Sequence, residues 1–574
     1  MQSEFLPSTK AEMAQRGWNA LDVILVTGDA YIDSPYIGVA VIGRVLEAAG
    51  YRVGIIAQPG LDKPEDITCL GEPCLFWGVT GGCIDSMVAN YTASRKKRYR
   101  DDYTPGGKND RRPNRAVIRY TNLIQRFTNS DIPIVLGGIE ASLRRIAHYD
   151  FWDDAVRRSI LFDAKADYLV YGMAERTVTA LADGLRDGND VQAIDGLCYI
   201  ASRPPADYLA LPEYKLVSKE SNAFIEMFHA FYQNNDPLTA EGLTQRHGDR
   251  WLVQNPPAQY LSQQEMDAVY DLPYTLAVHP HDARHGKVRA LETIRFSVNT
   301  QYGCYGECNF CAIALHEGRT VRWRSKASIL KEVRVLTELP DFKGYILDVG
   351  GPTANMYGFE CPIKLKQGAC QDKRCIYPEV CTALKPNHLY QLDVLKSIRK
   401  IPGVKKVFVS SGIRYDLVIA DAKHGDQYIR QIATHHVSGQ LKLAPEHSEE
   451  HILRLMGKPS MKDMLSFKKK FDDYSRQAGK KQYLTYYLIA AHPGCRETDM
   501  MRLKQFASRK LHITPQQVQL YTPLPSTYSA VMYHTEQDPF TGKKIFVEKE
   551  AGKREQQKRI ITRKARHSKK KRRR

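Results

Sequence analysis

Three cysteines in the run Cys304-Tyr305-Gly306-Glu307-Cys308-Asn309-Phe310-Cys311 constrain this chain more than any other feature. The spacing C-x3-C-x2-C brings the thiolates close enough to hold three irons of one cubane, and a cubane ligated wholly by protein takes four cysteines. The next cysteine, Cys361, lies 50 residues beyond Cys311. One iron of a [4Fe-4S] cluster is therefore left open to an exogenous ligand, which suits chemistry at the cluster; a pure electron carrier normally closes its shell. Structural zinc usually takes two C-x2-4-C halves set well apart. Gly303, Gly306 and the polar stretch Glu307-Cys308-Asn309 read as an exposed loop rather than as buried core thiols.

This pattern, with an aromatic just before the last cysteine, resembles that of the radical S-adenosylmethionine (radical SAM) enzymes. The resemblance implies that Cys304, Cys308 and Cys311 are the cluster ligands, that Phe310 is the usual aromatic, and that S-adenosylmethionine chelates the open iron. It also implies that the loop follows the first strand of a partial or full (β/α) barrel, here Ile294–Asn299. Reductive cleavage of S-adenosylmethionine would then give a 5′-deoxyadenosyl radical.

Composition sets the frame. The 574 residues are enough for several domains. Twelve cysteines are too few for a disulfide scaffold. The first residues lack a signal pattern, and no apolar run reaches the ~18 residues needed to span a bilayer. A reducing cytoplasmic setting, with no membrane partner, is expected. The net charge is +19, of which 13 Lys or Arg against Glu555 in residues 551–574 supply +12, leaving about +7 elsewhere. That tail reads as disordered or as a helix that orders on a partner. RNA or a ribosomal component is one reading of it and a merely solvated tail the other. A second basic run, Arg95-Lys-Lys-Arg-Tyr-Arg100, reads as a surface loop.

Residues 1–200 read as an α/β domain of their own. Strands are expected at Leu21–Val26, Tyr51–Ala57, near Leu75, near Ile132 and at Tyr168–Gly172, each running into a glycine turn or a helix. Such repetition implies a Rossmann-like parallel sheet with ligands at the carboxyl ends of its strands. No full G-x-G-x-x-G or Walker A sequence is present. In outline the domain resembles the cobalamin-binding fold, but Asp29-Ala-Tyr-Ile-Asp33 lacks the histidine of D-x-H-x-x-G, so cobalamin is not expected. Residues 201–289 read as a linker or accessory region, in which His279, His281 and His285 suit a polar surface loop or a lid better than a metal site.

Residues 290–530 are expected to carry the barrel. Gly350-Gly351 follows the second strand, where the family's Gly-Gly-Glu-like segment meets the methionine amino group; Pro352 replaces the acid, leaving backbone carbonyls for that contact. Ser410, Ser411 and Arg414 follow the next strand and could serve ribose hydroxyls and the methionine carboxylate. Glu446 lies at the tip of another, and in a barrel such tips share one rim. Cys361, Cys370, Cys375 and Cys381 form an insertion (361–381) whose spacing fits no standard pattern, leaving a second iron–sulfur cluster, a zinc site or neither. Residues 531–574 complete the chain as an extension and the basic tail.

The whole layout, from about residue 15 to 550, resembles the YgiQ-like family of radical SAM proteins. The expected function is hydrogen abstraction from an unidentified substrate, RNA or ribosome-associated, with electrons from a flavodoxin- or ferredoxin-type donor. Modification of a small metabolite or peptide is the alternative, and a non-catalytic electron-transfer or RNA-binding protein is a third reading.

Overall fold

The structure, a computed structural model, describes residues 4–129, 131–516 and 518–562. In the N-terminal half, Leu21–Thr27 is an interior strand, and apolar side chains on both its faces suit that place. Val23 and Leu25 pack on one side with Val39, Ala40 and Leu46 of the helix Gly38–Ala48. Ile24 and Val26 pack on the other with Val117, Tyr120 and Ile124 of the helix Ala116–Phe127. A run without polar alternation is what a strand covered by helices on both faces requires.

Leu21–Thr27 pairs in parallel with Val53–Ala57 on one side and Pro73–Thr80 on the other. Ile134–Gly137 and Tyr168–Val170 continue the parallel series. Counted along the chain, these five strands lie in the order 2-1-3-4-5, so the connections diverge between Leu21–Thr27 and Pro73–Thr80. Such a switch point opens a crevice at the strands' carboxyl ends.

Two expectations change here. The sheet is mixed rather than parallel: Leu197–Ala201 joins antiparallel to Tyr168–Val170, and Arg250–Gln254, Leu243–His247 and Leu209–Leu211 extend it to nine strands. Residues 201–289 therefore carry one edge of this sheet rather than linking two bodies. Their brevity, three to five residues, and the mixed polarity of Leu243–His247 and Arg250–Gln254 hid these strands.

The second half is an array of short parallel strands paired in chain order. Ser297–Asn299 pairs with Asp348–Gly350, Tyr345–Ile346 with Lys406–Val407, and Ile413 bridges to Leu443. Gln440–Glu446 pairs with Tyr483–Ala490, and that strand with Gln519–Leu520. Among the described residues no pairing returns from Gln519–Leu520 to Ser297–Asn299, so the barrel is partial.

The start of the basic tail is ordered. Ala551–Thr562 is a helix whose Arg554, Gln557 and Ile561 are buried. Arg554 donates to the carbonyls of Tyr521 in the barrel half and Ala93 in the N-terminal half. Its guanidinium also sits over the rings of Phe151 and Tyr533. A tail poor in large apolar residues and rich in charge reads as disordered or as a helix that orders on a partner, and a buried arginine satisfied by carbonyls and rings escapes that reading. Residues 563–574, with most of the tail's charge, lie outside the described residues. Among the described residues no helix is long and apolar enough to cross a membrane.

Candidate radical SAM site

The cysteine loop leaves the first barrel strand through glycines that the geometry requires. Gly303 has φ +82, and a Cβ there would stand 2.6 Å from the Thr320 carbonyl oxygen. At Gly306 a Cβ would sit 3.2 Å from Cys304 Sγ and 3.5 Å from Cys308 Sγ, so its absence clears the space between two thiols. The Gly306 N–H donates to Cys304 Sγ at 3.3 Å, and Arg414 Nη1 donates to Cys308 Sγ at 3.7 Å. Thr353 Oγ1 lies 3.7 Å from Cys304 Sγ.

The loop is held from outside. Asn309 donates through its N–H to Met456 O at 2.9 Å and through Nδ2 to Leu455 O at 2.9 Å. Arg374, from the cysteine-rich insertion, donates to Glu307 O at 2.8 Å and Asn309 Oδ1 at 2.7 Å. Arg319 pairs with the buried Glu307 at 2.7 Å and donates to Cys370 O at 3.0 Å. The insertion thus clamps the loop by two arginines.

The donor set fits a cubane. All three thiols are free. Burial and the neighbouring Cys308 sulfur push the Cys304 and Cys311 thiols above their ordinary range. Thiols poised this way ionise when a metal takes the charge. Among the described residues no three Cys, His, Asp or Glu side chains converge on a single-ion position. The C-x3-C-x2-C loop offers three free thiols, each of which would hold one iron of a cubane. The same finding applies to Cys361, Cys370, Cys375 and Cys381; Cys361 is buried and Cys375 Sγ accepts from Lys364 at 3.5 Å.

The other expected residues divide. Gly350, Gly351 and Ser411 open on one cavity of about 470 Å³, while Arg414 faces the thiols from behind it. The Ser410 hydroxyl donates to Leu347 O at 2.6 Å, and that of Ser411 donates to Asp348. Arg414 is paired with the buried Asp416. Glu446 is buried in a left-handed backbone conformation (φ +67), and burial raises its carboxyl. Phe310 packs edge-on to His492 at 6.3 Å.

Sequence reasoning missed the cavity itself. It lies between the barrel tips and the switch point of the N-terminal sheet, from Gly350-Gly351 and Tyr302 across to Thr27, Thr80 and Gly137. Gly38 faces open space and Gly137 meets only the Val170 carbonyl at 3.9 Å, so backbone lines both positions. One buried and two half-buried polar groups face it. Glu175 has no hydrogen-bond partner on either carboxyl oxygen, and burial raises its carboxyl. Glu317, which accepts the Gly303 N–H at 3.1 Å, is pushed up to about 7 by burial. His316, half-buried, is held down to about 4 by desolvation. Glu175 and Tyr302 are too far apart in sequence for any local pattern to join them.

His279 also differs from expectation. It is buried, edge-on to Phe5 at 5.0 Å and stacked on Tyr31 at 5.5 Å, while His281 and His285 are exposed.

Comparison with known proteins places this geometry. Residues 5–297 match the family model described as radical SAM N-terminal. The chain is 53% identical over 567 residues to the UPF0313 protein FN0734 of Fusobacterium nucleatum, covering 99% of this chain and all of that one. The chain belongs to the UPF0313 family. It is a radical SAM enzyme. A UPF0313 protein of Thermotoga maritima is 50% identical over 548 residues, covering 95% of this chain and 96% of its own.

Solved structures give a fainter likeness. The methyltransferase TsrM from Kitasatospora setae, solved with cobalamin and a [4Fe-4S] cluster, is 17% identical with a TM-score of 0.48, covering 88% of this chain and 74% of its own. OxsB, a cobalamin-dependent S-adenosylmethionine radical enzyme, is 12% identical with a TM-score of 0.49; the match covers 92% of this chain and 57% of OxsB. Their ligands remain theirs. Both were solved with cobalamin, the cofactor not expected from this sequence, and that expectation is withdrawn. A missing D-x-H-x-x-G sequence removes one axial ligand only, and does not decide the matter.

Proposed function

We propose that this UPF0313 member, akin to the YgiQ-like proteins, cleaves S-adenosylmethionine reductively at a [4Fe-4S] cluster and abstracts hydrogen from RNA or a ribosome-associated substrate. When bound, cluster and S-adenosylmethionine supply a deoxyadenosyl radical; the protein positions them and shields the site. Cys304, Cys308 and Cys311 would hold three irons. The Gly306 N–H and the Arg414 guanidinium offset thiolate charge there. Carbonyls at Gly350 and Gly351 would accept from the methionine ammonium, and the cavity walls keep water from the reacting atoms. A flavodoxin- or ferredoxin-type protein would supply the electron.

The observation that carries this reading is the cysteine loop, clamped by Arg374 and Arg319, beside a cavity that contains the Gly350-Gly351 tip. Its volume of about 470 Å³ favours a second reading, a small metabolite as substrate. Anaerobic reconstitution with iron and sulfide, followed by EPR of the reduced protein with and without S-adenosylmethionine, tests the chemistry. A cubane signal altered by S-adenosylmethionine and absent after Cys304→Ala, Cys308→Ala and Cys311→Ala is expected. An unaltered signal would refute the open iron. The visible spectrum after incubation with hydroxocobalamin reads directly whether the cavity takes a corrin.

A further inference from the structure

A groove of about 1220 Å³ lies on the N-terminal half, behind the cavity just described. The two share a wall. Asp29 lines the cavity, Arg112 lines the groove, and they form a fully buried ion pair at 2.6 Å. The groove runs past the carboxyl end of Val53–Ala57, along the start of Ala116–Phe127, to His281 and His285.

Its charge is lopsided. The lining carries eight Lys or Arg and four Asp. Arg112, Arg115 and Arg157 are neutralised by aspartates of the fold. Lys10, Lys63, Lys97, Arg111 and Arg119 are exposed and make no ion pair among the described residues. Lys97 belongs to the basic run 95–100, whose other members are partly spent: Arg95 donates to Phe151 O and Arg98 to Val88 O and Tyr91 O. Against Asp62, Asp66, Asp110 and Asp282, five unpaired cations along one concave surface leave a modest positive excess that attracts anions.

We propose that this groove seats the sugar–phosphate backbone of single-stranded RNA. The inference rests on the RNA reading above and gives it a surface. Groove volume exceeds the ~300–1,000 Å³ of small-molecule pockets, which favours a chain over a metabolite. Unpaired lysines and arginines on loops suit phosphates, which they contact without reading bases. Tyr91 is the only Phe, Tyr or Trp lining the groove among the described residues, so backbone tracking rather than base stacking sets its affinity. Binding is therefore tolerant of sequence.

The test uses the full chain and a fluorescein-labelled mixed-sequence RNA of about 20 nucleotides, a length spanning more than one single-strand site, followed by anisotropy across a salt series. In Lys63→Gln/Arg111→Gln/Arg119→Gln, removing three phosphate contacts should flatten the slope of log K against log salt by about 2 and weaken binding at least about tenfold. A chain ending at Thr562 should still bind and still respond to the triple substitution. A triple variant that binds like the parent, or a truncation that alone abolishes binding, would overturn the groove. So would displacement of RNA by polyglutamate as readily as by unlabelled RNA, which would indicate an acidic protein partner. S-adenosylmethionine cleavage, assayed without RNA, separates the two proposals. Retained cleavage with no RNA binding sinks the groove alone; no cleavage by the parent protein sinks the radical chemistry itself.

Discussion

Arg414 stands between a buried carboxylate and a cluster thiol: it grips Asp416 through two nitrogens and reaches Cys308 Sγ at 3.7 Å. Breaking a buried pair strands the other charge. Arg414→Met should therefore cost about 3–5 kcal/mol in anaerobic chemical denaturation. Arg414→Met with Asp416→Asn should regain most of it. In that double variant the reconstituted cluster should be harder to reduce, because a cation that stabilises the added electron has gone. A parental midpoint potential would show that the guanidinium has no electrostatic hold on the cluster.

Acid should unfold this protein through its histidines. His247 stacks between Phe162 at 4.6 Å and Tyr214 at 5.3 Å, with no hydrogen-bond partner on either ring nitrogen. Burial holds it down to about 3. Below the unfolded value near 6.5 the unfolded chain takes up a proton that the folded chain refuses, so stability falls with falling pH until about 3. The loss approaches ~1.4 kcal/mol per pH unit for each such group. His247→Phe should shallow the stability–pH slope between pH 6 and 4 by close to one proton, and leave stability above pH 7 little changed by titration. An unchanged slope would mean that the ring ionises freely in the fold.

Gly351 tests the amino-group contact. A Cβ at this position would fall 2.6 Å from the Gln301 carbonyl oxygen, a backbone atom that cannot swing aside. Gly351→Ala should displace the strand tip, cost about 1–3 kcal/mol in stability, and weaken the S-adenosylmethionine-induced change in the EPR spectrum. Gly350→Ala, whose nearest contact is Ala354 Cα at 3.1 Å, should be milder. Equal, parental titrations for both would remove this tip from the cofactor site.

The strand tips were legible because each barrel strand ends in a recognisable residue change, such as Asp348-Val349-Gly350 or Ala444-Pro445-Glu446. The cysteine loop was legible because spacing alone sets its ligand geometry. Other features depended on partners far away in the chain. Glu175 acquires meaning only opposite Tyr302, and Arg112 only against Asp29. Leu209–Leu211 is too short to announce itself, and becomes a strand by pairing with Leu243–His247. Ala551–Thr562 reads as solvated because its charge conceals which face is buried. Arg554 enters the interior by shedding water onto two carbonyls and two rings.

That helix supplies the fourth prediction. Arg554→Ala would leave the Tyr521 and Ala93 carbonyls without this donor and remove the cation from the Phe151 and Tyr533 rings, a loss of about 2–4 kcal/mol. Trypsin should then cut at Lys553 or Lys558 faster than in the parent chain, since local opening governs cleavage. Arg554→Lys, which keeps the charge but not the fork, should fall between. Parental proteolysis rates in Arg554→Ala would show that the helix docks through Gln557 and Ile561 alone.

One consequence of the docked helix concerns time rather than energy. Translation delivers residues 551–562 after every described strand, so among the described residues the brace joining Ala93 to Tyr521 becomes available late. Contacts such as Ser526 Oγ to Leu143 O and Tyr149 against Tyr533 already join the halves by then, so the helix arrives as a late fastening on a seam that is laid before it.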